Sequence, residues 1–258
     1  MAEIAVPAGN DDVTLRAVSM EDPWNWLNAG WRDIQRAPLF SLGYGLAFVV
    51  IAFSGTAVLW KSGLESLVPV LAGGFGLIGP MLAVGLYEIS RRLETGEPLT
   101  LKSVVFVKTA EPLQLAYMGF ALLFIYFVWL RTAMLLYAGF AQLNYVPLDQ
   151  FSFFLFKTSA GLSLLALGTA VGACFAFVVF AVTALSVPML MDKHIDVVSA
   201  ISLSLRTVTN NLKPMLLWAW LIALLIAFGC ATLFVGLIVA FPLLGHATWH
   251  AYRSLGNR

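Results

Sequence analysis

Two histidines near the C-terminus offer the sharpest chemistry in this 258-residue chain. His246 and His250 lie four residues apart, so on a helix both imidazoles share one face and could bind a metal or a haem iron. The competing reading is a hydrogen-bonded pair at a helix end, because Trp249 and Arg253 mark where an apolar helix leaves a membrane. Only the distant His194 could add to the set, so no metal site and no cofactor are expected. Arg131 is the second candidate. It lies deep in an apolar run, where a charge is costly. However, some 18 residues at about 1.5 Å each put it roughly 27 Å along, near the far interface. Pairing with Glu65 or snorkelling accounts for it, and a place on a substrate pathway is the alternative. Gly74, Gly76 and Gly79 spell a GxGxxG. A dinucleotide site needs a strand before those glycines and an aqueous acidic residue after them. Here the flanks are LVPVLA and PMLAVGLYEIS, so the glycines read as helix-packing positions, as do Gly168 and Gly172.

The remaining residues argue against catalysis. No HExxH pair, Walker loop, GxSxG elbow or paired intramembrane aspartates occur, so no catalytic residue is assigned and the balance leans away from an enzyme. Cys174 and Cys230 sit in apolar runs outside any CxxC and read as small residues buried between helices. Glu88 has Arg91 and Arg92 one turn on, so local pairing explains it. A net charge of +1 gives no reason to expect nucleic acid.

These candidates must be positioned by membrane helices. The chain is 60% hydrophobic and 11% charged, against about 25% charged in a soluble domain. Apolar stretches long enough to cross a bilayer predict an all-α protein with six crossings, near 39–60, 65–88, 113–138, 160–187, 214–232 and 234–252. Residues 1–21 read as a flexible tail without a signal peptide, 22–253 as one membrane domain, and 254–258 as a short tail. Of the fifteen basic residues, only Lys61, Arg131 and Lys157 fall outside one set of alternate loops. That bias places both termini in the cytoplasm. Trp60, Trp218 and Trp220 suit the two interfaces.

Three cytoplasmic segments, 22–37, 99–111 and 196–213, read as amphipathic surface helices. In the first, Asp22 is the expected cap and Trp24, Leu27, Trp31 and Ile34 the apolar face. In the third, Asp196 caps a stripe of Val198, Ile201, Leu205, Val208 and Leu212. They either lie on the inner membrane surface or pack on one another as a cap. Each ends before a proline that opens a crossing, Pro38, Pro112 or Pro214, and each return crossing carries another, Pro80, Pro188 or Pro242. A threefold internal repeat is the expectation that follows. Between the third and fourth crossings, Phe151, Phe154 and Leu155 form an aromatic loop suited to the outer interface or to a docking partner.

WLNAGWRDIQRAP, GPMLAVGLYEISRRLETGE, VPMLMD and PLLGHATWHAYR resemble the bacterial integral-membrane family known as domain of unknown function 2189. The resemblance runs from about Asp22 to Arg253. It implies a multi-helix inner-membrane protein and supplies no catalytic residues. Some members bear a cytochrome c oxidase label, but that chemistry needs several intramembrane histidines, and the three here fall at cytoplasmic edges. The function expected is that of a non-catalytic accessory, assembly or scaffold component, partnered by the bilayer and by a membrane protein. The alternatives are a small-solute transporter with a polar site near Pro80, Pro188 and Pro242, and a haem or metal protein using His246 and His250.

Overall fold

The computed structural model describes residues 17–64, 68–141 and 148–255. Those residues form twelve helices and no strand. In chain order they are α1 (Asp22–Arg36), α2 (Pro38–Lys61), α3 (Val68–Leu82), α4 (Val84–Thr95), α5 (Leu101–Val105), α6 (Pro112–Phe140), α7 (Leu148–Lys157), α8 (Ser159–Thr183), α9 (Ser186–Asp192), α10 (Val197–Asn210), α11 (Leu212–Ala231) and α12 (Leu237–Leu255).

Among the described residues, four stretches are long and apolar enough to cross a membrane: α2, α6, α8 together with α9, and α11. The other two expected crossings fall on α3 with α4, and on α12. A turn at Ala83 separates α3 from α4. The 15 residues of α3 therefore rise only about 22 Å, short of the roughly 30 Å hydrocarbon core. α12 has length enough, but its second half carries His246, His250 and Arg253.

The described chain forms two compact units. The first takes the described parts of 1–51, 80–118 and 180–258, and the second those of 52–79 and 119–179.

In the first unit, α1 lies close along α12 because Gly30 has no side chain. A Cβ there would sit 2.8 Å from the Ala247 nitrogen and 2.9 Å from the Leu243 oxygen. Gly45 lets α2 approach α12 in the same way, against the Ile238 carbonyl. Around these contacts Trp26 meets Trp218 edge-on at 5.6 Å and donates its Nε1–H to the Ser254 hydroxyl at 2.8 Å. Trp218 is therefore buried, and Trp220 is the exposed one of the pair expected at the interface.

Helix breaks in this unit are paid back by side chains. Pro188 has no N–H and cannot bond the preceding turn, so the α8–α9 junction opens at Ala184 and Leu185. Ser204 of α10 fills the gap, accepting from Leu185 N–H at 3.3 Å and donating to the Ala181 carbonyl at 2.8 Å. At the end of α3, Tyr44 donates to the Leu82 carbonyl at 2.8 Å. α4 closes on Gly96, whose left-handed φ of 73° suits glycine. Pro242 lies inside α12 and is buried, and Pro80 is inside α3.

Helices α1 and α10 form over two of the three amphipathic segments, and each turns part of its apolar stripe outward. α10 begins at Asp196, whose carboxylate accepts the Ser199 N–H at 3.0 Å. Hydrogen bonds from the Ser199 side chain and backbone hold the Asp196 carboxyl below its ordinary pKa. Its buried face is Ala200, Leu203, Ser204, Thr207 and Val208, while Val198 (69%), Leu205 and Leu212 are exposed. α1 behaves alike. Trp26, Gly30, Asp33 and Ile34 go inward, and Trp24 (51%) and Trp31 (45%) face out. Glu21, without a side-chain bond, occupies its cap position. Asp22 begins the helix and accepts the Ser19 N–H at 2.7 Å. The segment at 99–111 shrinks to α5, five residues opened by a Thr100–Ser103 capping box. The rest of 99–111 is irregular, and its Ala110 N–H donates to the Met191 carbonyl at 2.9 Å.

In the second unit, aromatic rings rest on glycines. A Cβ at Gly74 would collide with the Tyr126 ring, and one at Gly172 would lie 3.3 Å from Trp129, which meets Phe175 at 5.7 Å. Beside Gly76, Gly79 and Gly168 there is open space. Part of the aromatic loop, 142–147, lies outside the described residues. In α7, Phe151 turns toward Tyr137 at 6.4 Å, and Phe153 and Phe156 are the exposed rings instead. Phe120, Phe124 and Phe127 of α6 also face outward, one helical turn apart. Both cysteines are exposed, Cys174 on α8 and Cys230 on α11, rather than enclosed between helices.

Candidate functional site

Within the first unit, four helices bring polar side chains to one buried junction. α12 presents His246 and His250 a turn apart, as their spacing requires. α2 contributes Ser41, α4 contributes Ser90 and Glu94, and α1 contributes Asp33, carried inward on the same face as Gly30. Ser41, Ser90 and His246 have no exposed surface, and Asp33 almost none.

The bonds run in one chain. Ser41 Oγ lies 2.9 Å from His246 Nε2, and His246 Nδ1 lies 2.8 Å from Ser90 Oγ. Ser90 donates to Asp33 Oδ2 at 2.7 Å, and the same oxygen meets His250 Nε2 at 2.7 Å. Proton counting then assigns each donor. Ser90 has one proton, given to Asp33, so its oxygen accepts from His246 Nδ1–H. Neutral His246 has a lone pair left at Nε2, which takes the Ser41 hydroxyl. His250 donates Nε2–H to the carboxylate. Every donor points toward Asp33.

Electrostatics agree with that direction. Burial alone would raise the Asp33 carboxyl, but hydrogen bonds from His250 and Ser90 together hold it below its ordinary value. The chain continues to the surface. His250 Nδ1 faces Glu94 Oε1 at 3.6 Å, and Arg253 holds the other Glu94 oxygen at 3.1 Å. Arg253 also faces Asp192 of α9 at 3.7 Å, to which Tyr252 donates at 2.7 Å. Nearby, fully buried Glu88 is clamped by Arg91 at 2.7 Å and by Arg92.

This geometry bears on each chemical reading. Both nitrogens of His246 are engaged by serines, and His250 is committed to Asp33. Among the described residues, no group of three or more His, Cys, Asp or Glu is placed to hold a metal ion. A serine on a histidine suggests a nucleophile, but Ser41 is fully buried and presents no oxygen to a substrate.

The other sequence candidates lie elsewhere. Arg131 is exposed on α6 without a polar partner among the described residues, and Glu65 is outside them. A cavity of about 790 Å³ in the second unit is apolar, lined by Gly73, Leu77, Trp129, Tyr137, Gly168 and Phe175 among others. Pro80, Pro188 and Pro242 do not line it. Sequence reading found the histidine pair but missed Asp33, Ser90 and Ser41. Asp33 carried one signal: it falls three and seven residues after Gly30 and Trp26, on the side that α1 buries.

Residues 67–192 match the model of the family described as predicted integral membrane protein (DUF2189). That span holds Ser90 and Glu94 of the junction, while Asp33, Ser41, His246 and His250 lie outside it. No curated protein and no solved structure matches the chain.

Proposed function

We propose that this integral membrane protein is a non-catalytic accessory, assembly or scaffold component of the bacterial inner membrane, working through surfaces rather than through a reaction. The observation that carries this reading is the outward turn of the surface helices. In water, a helix buries its largest apolar side chains against the protein. α1 and α10 bury Trp26, Ile34, Leu203 and Val208 beside small and polar residues, yet they leave Trp24, Trp31, Val198 and Leu205 outside. A bilayer interface gives such side chains a favourable place. Both helices lead into a span through a single residue, Ala37 or Asn211, so their stripes begin where apolar surroundings begin.

The same reading takes both termini as cytoplasmic, on the basic-residue bias. It also takes three successive blocks of surface helix, outgoing helix and proline-bearing return as a degenerate repeat. α2 and α6 opening at Pro38 and Pro112, and α11 with Pro214 in its first turn, support that order. The closed hydrogen bonding of the Asp33 junction supports a structural rather than a catalytic use of its polar groups.

Two measurements test the proposal. Gentle extraction from the native membrane is expected to bring down a stoichiometric membrane-protein partner; recovery of the chain alone would sink the accessory reading. Spin labels replacing Trp31 and Arg32 in lipid are expected to differ, the first relaxed by oxygen and the second by an aqueous nickel reagent. Equal aqueous exposure at both sites would remove the interfacial helix.

A further inference from the structure

His250 is the one member of the junction with a carboxylate on each side. Its Nε2 lies 2.7 Å from Asp33 of α1, and its Nδ1 lies 3.6 Å from Glu94 of α4. The imidazole keeps a contact with solvent, its side chain being 19% exposed, so protons can reach it. We infer that His250 is a proton-operated clamp that ties α1 and α4 to α12.

The two protonation states differ in bonds, not merely in charge. Neutral His250 has one N–H, which Asp33 takes, and it turns the Nδ1 lone pair toward the Glu94 carboxylate. Protonated His250 has two N–H groups, one in a charge-assisted bond to Asp33 and one facing Glu94 as an ion pair. With the proton bound, the clamp is closed on both helices. As pH rises, the Asp33 bond loses its charge assistance and the Glu94 contact loses its proton.

The surrounding groups set what the clamp works against. From α12 itself, Arg253 holds Glu94 at 3.1 Å, so Glu94 has a partner when His250 lets go. α9 brings Asp192, held by Tyr252 and Arg253. α4 brings Ser90, already bonded to Asp33, and α2 brings Ser41, bonded to His246. Fully buried His246 sits one turn before His250, fixed between its two serines. The charged side chain of α11, Lys213, is exposed. Release is therefore local. It loosens α1 and the end of α4 while the inner bonds, Ser41 to His246 and Ser90 to Asp33, stay in place.

Hydrogen–deuterium exchange of the full chain in lipid nanodiscs, corrected for the intrinsic pH dependence of exchange, tests this. Amides of α1 and of the last turn of α4 are expected to lose about tenfold in protection between about pH 5.5 and pH 8.5, the worth of a charge-assisted hydrogen bond. His250→Gln should flatten that profile, and Glu94→Gln should flatten it for α4. His194→Gln, altering an exposed histidine paired with Glu111, should leave it as in the wild type. A flat wild-type profile overturns the clamp, and so does a full wild-type profile in His250→Gln. If His250→Gln does not fold, an undiminished α4 profile in Glu94→Gln overturns it equally.

Discussion

The two units are built from the same apolar alphabet and hold themselves together differently. Among the described residues, the buried polar and charged side chains, Asp22, Asp33, Ser41, Glu88, Ser90, Thr183, Ser186, Ser204, Thr207 and His246, all belong to the first unit. The second leaves Phe120, Phe124, Phe127 and Phe153 outside and packs aromatic rings onto Gly74 and Gly172. Lipid explains the second pattern. Hydrocarbon surroundings give no gain for hiding a phenylalanine, so close approach and van der Waals contact hold the helices. The first unit instead uses directional bonds, whose partners must match, to select one arrangement of α1, α2, α4 and α12.

Breaking the polar side of that contrast should cost most. Asp33→Ala leaves His250 and Ser90 aimed at nothing inside the protein. It is expected to lower stability by about 3–5 kcal/mol, seen as a large drop in the thermal midpoint of the detergent-solubilised protein. Gly30→Ala keeps every polar group but puts a methyl against the α12 backbone. The expected loss is about 1–3 kcal/mol, with the Trp26–Trp218 contact reporting it through tryptophan fluorescence. A smaller effect at either position than at Gly168 would abolish the distinction between the units.

Acid should sharpen the comparison without mutation. The folded Asp33 carboxyl lies below its ordinary 3.8. Its contribution is therefore complete above the unfolded value and lost as pH falls through the lower, folded one. Protection in α1 is expected to fall in that acid window, while helices of the second unit, which bury no carboxylate among their described residues, change less. Comparing amide protection at about pH 6 and about pH 3 measures the difference. The smallest effect is expected at Gly168→Ala. With open space beside it, the methyl should be neutral or add up to about 1 kcal/mol through helix propensity. Gly74→Ala should lie on the unfavourable side of it, because the Tyr126 ring must move.

Much of the helical order was readable in advance, and the reasons are local. Pro38 and Pro112 open α2 and α6, Asp196 caps α10, and Arg91 and Arg92 close on Glu88. Which face of α1 and α10 meets the protein was not readable: their apolar stripes fitted a membrane surface or a cap alike, and the faces around Gly30 and Ser204 are the buried ones. The candidate site was half visible. The spacing of His246 and His250 placed them together, but nothing local pairs residue 246 with residue 41 or residue 250 with residue 33.

The sequence by itself determined an all-helical membrane protein, because hydrophobic length and the prolines act through the residues next to them. It determined the His246–His250 face, because four residues are about one helical turn. Only the tertiary structure decided what that face meets. Ser41 and Asp33 reach the histidines because Gly30 and Gly45 let α1 and α2 press against the α12 backbone, and Ser90 because Gly245 leaves room for Leu86 of α4. Such closeness depends on shape across helices far apart in the chain, which no pattern within one of them encodes.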